Sequence, residues 1–225
     1  NKDTQYFLGA NAPTEFYSGT PAFRQQINYI SFAKNLKEQI GNVKTFNIGF
    51  GAEYRFENYH TNAGEEASWK DYDSSGIRIG GTAGGGSIRL EDAVNESRSV
   101  TGLYFDLETD INENFLINVA GRYEYFGDFG SNLAGKMAMR YKFSSGVSIR
   151  GSLSNGYHAP ALQQIYLTET GTAWKNVGVI NVPVTNGIFP NNSVITKAFG
   201  VRALQPEKAI NISAGFTSTL SPHLN

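Results

Sequence analysis

The chain has 225 residues, 40% of them hydrophobic and 17% charged, with a formal net charge of -1, so no charge imbalance points to nucleic acid or to a strongly acidic partner. It contains no cysteine, which excludes a disulfide framework, a thiolate zinc site and a cysteine nucleophile. No apolar run approaches the roughly 18 residues a membrane-spanning helix requires, so any membrane span in this chain has to be β.

Alternation of period two, bounded by Gly, Asn, Asp and Pro, predicts about eight strands: residues 3–11, 23–36, 44–58, 98–110, 115–126, 132–143, 147–156 and 207–219. Helical spacing competes only where Phe32, Leu36 and Ile40 recur. Ile30 and Phe32 continue an alternation there, so the piece reads as a strand end and a turn. In the third strand Phe46, Ile48, Phe50, Ala52, Tyr54 and Phe56 point one way, and Asn47, Gly49, Gly51, Glu53, Arg55 and Glu57 the other. About a dozen residues suffice to cross a bilayer as a tilted strand, which takes about 9 to 11. Later segments repeat the rhythm: Leu103, Phe105 and Leu107 oppose Asp106 and Glu108; Phe115, Ile117 and Val119 oppose Asn118, Arg122 and Glu124; Leu133, Met137, Met139, Tyr141 and Phe143 oppose Lys136, Arg140 and Lys142.

The connections alternate in length. Asn112-Glu113-Asn114 and Ser144-Ser145-Gly146 are tight and residues 38–44 slightly longer, whereas 60–97 and 157–206 are long polar excursions. Transmembrane barrels have short inner turns and long outer loops, which puts residues 12–22, 60–97, 127–131 and 157–206 outside. Aromatics then gather at the outer rim (Tyr54, Phe56, Tyr123, Tyr125) and the inner one (Phe46, Tyr141, Phe143), as interfacial girdles do. A soluble β-sandwich explains the same alternation. The spans exceed the usual strand of about 5 to 6 residues, and their polar faces carry both signs of charge in blocks, which favours a membrane barrel. If neighbouring strands pair as hairpins, Glu53, Arg55 and Glu57 face Asp106 and Glu108, and Arg122, Glu124, Lys136, Arg140 and Arg150 continue an inner-face charge ladder that reads as architecture.

APTEFYSG (Ala12 to Gly19), FGAEYRFENY with AGEEAS (Phe50 to Ser68), RYEYFGDFGS (Arg122 to Ser131), IRGSLSNGYHAPALQQIY (Ile149 to Tyr166) and LQPEKAINISAGF (Leu204 to Phe216) follow one another in an order that resembles the barrel of a TonB-dependent outer-membrane receptor. The resemblance leaves out only loops 69–97 and 167–200. It implies an all-β, antiparallel barrel segment of a Gram-negative outer membrane, contacting outer-membrane lipid. It also implies energised uptake of a scarce extracellular ligand (a siderophore, cobalamin or a glycan), coupled to the TonB complex through a plug domain. Residues 1–225 are then a partial barrel, the ends looking cut, with the plug and the remaining strands lying elsewhere. A passive porin-like channel is the alternative.

Two departures matter. His158 stands in Gly156-Tyr157-His158-Ala159-Pro160 where the family usually has arginine, and Gln205 replaces a lysine before Pro206-Glu207; both remove a fixed rim charge. Pro160 and Pro206 lack the amide hydrogen a central ladder needs and so belong at strand ends. Catalytic constellations are missing: His60, His158 and His223 are scattered, and neither H-E-x-x-H nor G-x-S-x-G occurs. The Gly80–Gly86 run lacks a phosphate-loop ending and reads as a flexible loop. The expectation is therefore a binding protein, not an enzyme, without cofactor or metal. The loop aromatics Trp69, Tyr72, Tyr166 and Trp174 are the candidate ligand contacts, by stacking on a sugar or catechol.

Overall fold

The computed structural model describes residues 6–36, 40–73, 81, 86–143 and 146–218. Its strands are β1 (Gly19–Asn35), β2 (Asn47–Ala63), β3 (Asn95–Asp110), β4 (Phe115–Phe126), β5 (Gly130–Lys142), β6 (Val147–His158), β7 (Glu169–Val177), β8 (Ile180–Ile188) and β9 (Glu207–Ser218). Seven form one antiparallel sheet in the order β1-β2-β3-β4-β5-β6-β9, while β7 and β8 pair only with each other. Among the described residues the sheet ends at β1 and β9 and does not close.

Two expectations change. The predicted first strand is not one: residues 6–11 are helical turns, with Gly9 at φ +58, and residues 3–5 lie outside the described set. Excursion 157–206 is not unstructured, because it carries the β7–β8 hairpin and two short helices, α2 (Leu162–Tyr166) and α3 (Val194–Ala198), after α1 (Glu66–Trp69) in the preceding loop. Most of the Gly80–Gly86 run falls outside the described residues. Pro160 and Pro206 do flank β6 and β9, as a missing amide hydrogen requires.

The two faces of the sheet differ sharply. On one, Phe50, Leu103, Phe105, Leu133, Met139, Ile149, Leu153, Ile210, Ile212 and Phe216 are all exposed, Ile212 at 79%. Among the described residues the buried apolar set is Tyr59, Val100, Phe126, Leu162 and Ile165. A sandwich would bury the first group against a second sheet; here it is an apolar band facing outward. Along β2 and the residue before it the band runs from Phe46 to Phe56, on β4 from Phe115 to Tyr125, and along β5 and the residue after it from Leu133 to Phe143. Each covers the same number of residues, about 33 Å along a strand. A tilt of about 35–45° turns this into about 23–27 Å, the height of the apolar belt of outer-membrane barrels. Past the band the same face turns polar: Asn28 on β1, Thr101 on β3, Ser131 on β5, Asn155 on β6 and Lys208 on β9.

Glycines let long side chains cross their neighbours. A Cβ on Gly51 would fall 2.7 Å from the Tyr104 ring, one on Gly121 would strike Phe105, and one on Gly215 would meet Arg150 Nε at 3.2 Å. Each large group lies over a glycine of the adjoining strand, so these are close-approach positions. The β5–β6 ladder runs from Lys142↔Ser148 to Gly135↔Asn155 and stops. There the Asn155 side chain accepts from Gly135 N–H (2.7 Å) and donates to the Leu133 carbonyl (2.9 Å). A side-chain amide thus replaces the next backbone partner, and the two strands part beyond it.

The chain divides into two compact units. One comprises residues 1–25, 57–97 and 160–204; the other comprises 26–56, 98–159 and 205–225. The first collects three of the four segments predicted to lie outside. The second holds most of the sheet.

Candidate functional site

Within the sheet unit the polar face carries a charge network. Arg122 Nη2 meets Glu53 Oε2 at 3.2 Å and Glu124 Oε1 at 2.7 Å; Arg55 lies 3.2 Å from Glu53 and 3.7 Å from Glu124. The Tyr157 hydroxyl donates to Glu124 Oε2, and its ring meets Phe126 edge-on at 6.1 Å. The predicted facing of Glu53 and Arg55 with Asp106 and Glu108 is therefore corrected. Gly102 stands opposite Glu124 in the β3–β4 register, and its lack of a side chain lets Arg122 and Glu124 reach across β3 to β2. Asp106 instead accepts from Asn118 (3.2 Å), and Arg140 approaches Asp110 at 3.6 Å. Arg55, Arg122 and Arg140 each lie beside a carboxylate, so the arrangement balances charge along a wall. Among the described residues no cluster of three His, Asp or Glu could hold a metal ion.

The loop unit is fastened by a carboxylate. Asp92, 1% exposed, accepts from Thr170 N–H at 2.8 Å and from its hydroxyl at 2.9 Å. Arg89 donates to the Thr172 hydroxyl at 3.0 Å. Thr61 completes the anchor: its N–H donates to the Val94 carbonyl at 2.8 Å and its hydroxyl accepts from Val94 N–H at 2.9 Å. The segment around Arg89 and Asp92 is thus bonded directly to the β7–β8 hairpin. Thr170 and Thr172 share a hairpin face with Trp174, while Ala173, Lys175, Val177, Ile180, Val182 and Val184 line the other. Val179 at the Gly178-Val179 turn is fully exposed.

The four candidate aromatics all fall in this unit, in different settings. Trp69, expected to be exposed, is partly buried: its indole N–H donates to the Gly64 carbonyl at 2.9 Å, which pins α1. Tyr72 lies under the Lys70 ammonium, 5.4 Å from its ring centroid. The adjacent Glu66 raises the pKa of that ammonium above its ordinary value, by hydrogen bonding first and by charge second. Tyr166 ends α2, partly buried, and Trp174 is 43% exposed opposite Pro183. His158 is exposed at the end of β6, opposite Glu207. Sequence reading missed Asp92, Thr170, Arg89 and Gly102. Only Gly102 carried a signal, as an isolated glycine within a strand pattern.

The profile of the β-barrel of TonB-dependent-receptor-like proteins matches residues 2–224. The chain belongs to this family. Among solved structures, the siderophore receptor PirA from Pseudomonas aeruginosa superposes with a TM-score of 0.51 at 13% identity, over 87% of this chain and 30% of that one. The siderophore receptor PirA from Acinetobacter baumannii gives 0.51 at 13% identity, over 89% of this chain and 25% of that one. At such identity the likeness establishes the fold alone, and the chain spans less than a third of either receptor's length. No curated protein sequence matches it. Its antiparallel sheet of seven strands is the secondary structure that this family's β-barrel calls for.

Proposed function

We propose that this chain supplies part of the wall and two outer loops of a Gram-negative outer-membrane receptor that imports a scarce small ligand, using energy delivered by the TonB complex to a plug. The observation that carries the reading is the single loop body closed by Asp92 and Thr170, in a chain whose strands bear an apolar band that matches a bilayer. The reading is one of binding and transport: Glu53, Arg55, Arg122 and Glu124 of the wall pair with one another, and the loop body offers aromatic and amide surface. Ligand contact is assigned to Trp174 and Tyr72 first and to Tyr166 next, with Trp69 holding α1 through the Gly64 carbonyl. Because both superposed receptors are named as siderophore receptors, ferric siderophores are the ligands to try first, with cobalamin and glycans as further classes.

The test is uptake of radiolabelled ferric siderophores by cells carrying the intact receptor, compared with Trp174→Ala and with deletion of residues 170–188. Both variants should insert, judged by heat-modifiable mobility on gels. Trp174→Ala should weaken uptake and the deletion abolish it. Uptake unchanged in an inserted deletion variant refutes the assignment of capture to this loop body.

A further inference from the structure

We propose that Asn186, on β8, is a modification site that deamidates spontaneously to isoaspartate. Two stretches of the chain carry nearly the same local sequence, Ser154-Asn155-Gly156 and Thr185-Asn186-Gly187. In each, a hydroxyl residue precedes an asparagine and a glycine follows it. Asparagine before glycine is the most reactive setting for deamidation, because no Cβ shields the following amide nitrogen or restricts its backbone. By sequence the two sites are equal, and the structure separates them. Asn155 is held: its Oδ1 accepts from Gly135 N–H at 2.7 Å and its Nδ2 donates to the Leu133 carbonyl at 2.9 Å. On its other edge β6 stays paired with β9 through Asn155↔Ile210 and Gly156↔Ala209 to His158↔Glu207. The Asn155 carboxamide cannot turn onto the Gly156 nitrogen without giving up both of its hydrogen bonds.

Asn186 and Gly187 are exposed, and among the described residues nothing bonds the Asn186 side-chain amide. The Gly187 N–H points away from β7, as two observations on the hairpin agree. Thr170 gives its N–H to Asp92 at 2.8 Å and not to β8, so Thr170↔Gly187 is a pair that exchanges no main-chain hydrogen bond. Pro183, which has no amide hydrogen, stands opposite Trp174 in the same phase. Asn186 is also close to the open end of a ladder whose last pair is Glu169↔Ile188, and a two-stranded ribbon opens readily at its ends. Once it opens, the Gly187 nitrogen attacks Asn186 Cγ. The new C–N bond closes a five-membered succinimide, the Cγ–Nδ2 bond breaks, and ammonia leaves with the proton that the Gly187 nitrogen has lost. Water then opens the ring at either carbonyl. Attack at Cγ gives aspartate; attack at the main-chain carbonyl gives isoaspartate, whose backbone runs through Cβ and Cγ and is one carbon longer. That extra carbon puts Ile188 out of step with Glu169 and frees the end of the hairpin beside the Asp92 clasp.

The experiment keeps the intact receptor in detergent micelles at mildly alkaline pH and follows the peptides spanning each site by mass spectrometry, with electron-transfer fragmentation to tell isoaspartate from aspartate. A parallel sample is held unfolded in guanidinium chloride. In the folded receptor Asn186 should deamidate at least about tenfold faster than Asn155, the factor imposed by two hydrogen bonds that must break first. In the unfolded sample the two sites should converge on a common rate. Isoaspartate should be the main product at position 186, carrying one oxygen from heavy-oxygen water, and Asn186→Gln should remove the reaction there while leaving position 155 unchanged. Equal rates at the two sites in the folded receptor overturn the proposal. So does an Asn186 that stays intact while both sites react in the unfolded sample, or a difference between the sites that persists after unfolding. Aspartate without isoaspartate at position 186 overturns the succinimide route and the proposal with it.

Discussion

Gly102 offers the sharpest test of the wall. A Cβ there would stand 3.2 Å from Arg122 Nη2 and 3.4 Å from Glu124 Cγ, so alanine asks its neighbours to give by tenths of an ångström. Removing a strand-interior glycine returns about 0.5–1 kcal/mol, and Gly102→Ala should therefore be close to neutral. Leucine is different: its branch fills the space through which Arg122 reaches Glu53 (3.2 Å) and Glu124 reaches Arg55 (3.7 Å). The same-strand pairs Arg122–Glu124 and Arg55–Glu53 survive, so the loss is confined to the contacts across β3. One charged hydrogen bond contributes about 1.5–3 kcal/mol. The 3.7 Å pair adds less, and the propensity gain offsets part, leaving Gly102→Leu about 1–3 kcal/mol less stable. Urea unfolding of the receptor in lipid vesicles, followed by tryptophan fluorescence, measures it. The decisive comparison is Arg122→Ala, in which Gly102→Leu should lose most of its effect because the group it displaces is gone. An equal cost in both backgrounds, or a costly alanine, refutes the reasoning.

The two faces of β2 give a second test: Phe50→Arg should destabilise the inserted receptor by about 2–4 kcal/mol, and Asn47→Arg by much less, in the same unfolding assay; equal losses would mean both faces are buried. For sidedness, a cysteine at Val179 should react with a membrane-impermeant maleimide on intact cells and one at Asn114 should not; the reverse pattern inverts the topology. Asp92→Ala should leave the Thr170 amide and hydroxyl without their acceptor, costing about 1–3 kcal/mol and accelerating hydrogen exchange in β7–β8 but not in β4–β5. Unchanged exchange in the hairpin would show that the two loops are held together by something else.

How much was legible follows from which interactions are local. The strands from β2 to β6 and β9 could be read because each carries its own alternation, and Pro160 and Pro206 mark where pairing must stop. Parity also separated Phe50 from Glu53. Register was not legible: whether Glu53 meets Asp106 or Arg122 depends on how far β2 slides against β3, and both choices keep the greasy face outside. The β7–β8 hairpin escaped notice because Gly171, Pro183 and Gly187 break its apolar pattern, although Gly178 could have marked the turn with its φ of +67. The clasp between Asp92 and Thr170 joins residues 78 apart, and nothing in either neighbourhood announces the other. Trp69 could be identified as a loop aromatic, but not as one whose indole is spent on the Gly64 carbonyl.

The early end of the β5–β6 ladder bears on how this wall yields under load. Above Gly135 and Asn155 no main-chain bonds stitch the two strands, so a pull on the outer end of β6 meets no zipper there. What it meets is Tyr157, which reaches past β5 to Glu124 on β4 and rests its ring against Phe126. Across that seam the outer end of β6 is tied to its neighbours by side chains, the Asn155 amide on Leu133 and the Tyr157 phenol on Glu124, while main-chain pairing on its other edge continues to His158 opposite Glu207. The outer part of β6 is therefore zipped along one edge and only pinned along the other, so the rim can part between β5 and β6 without unzipping β6 from β9.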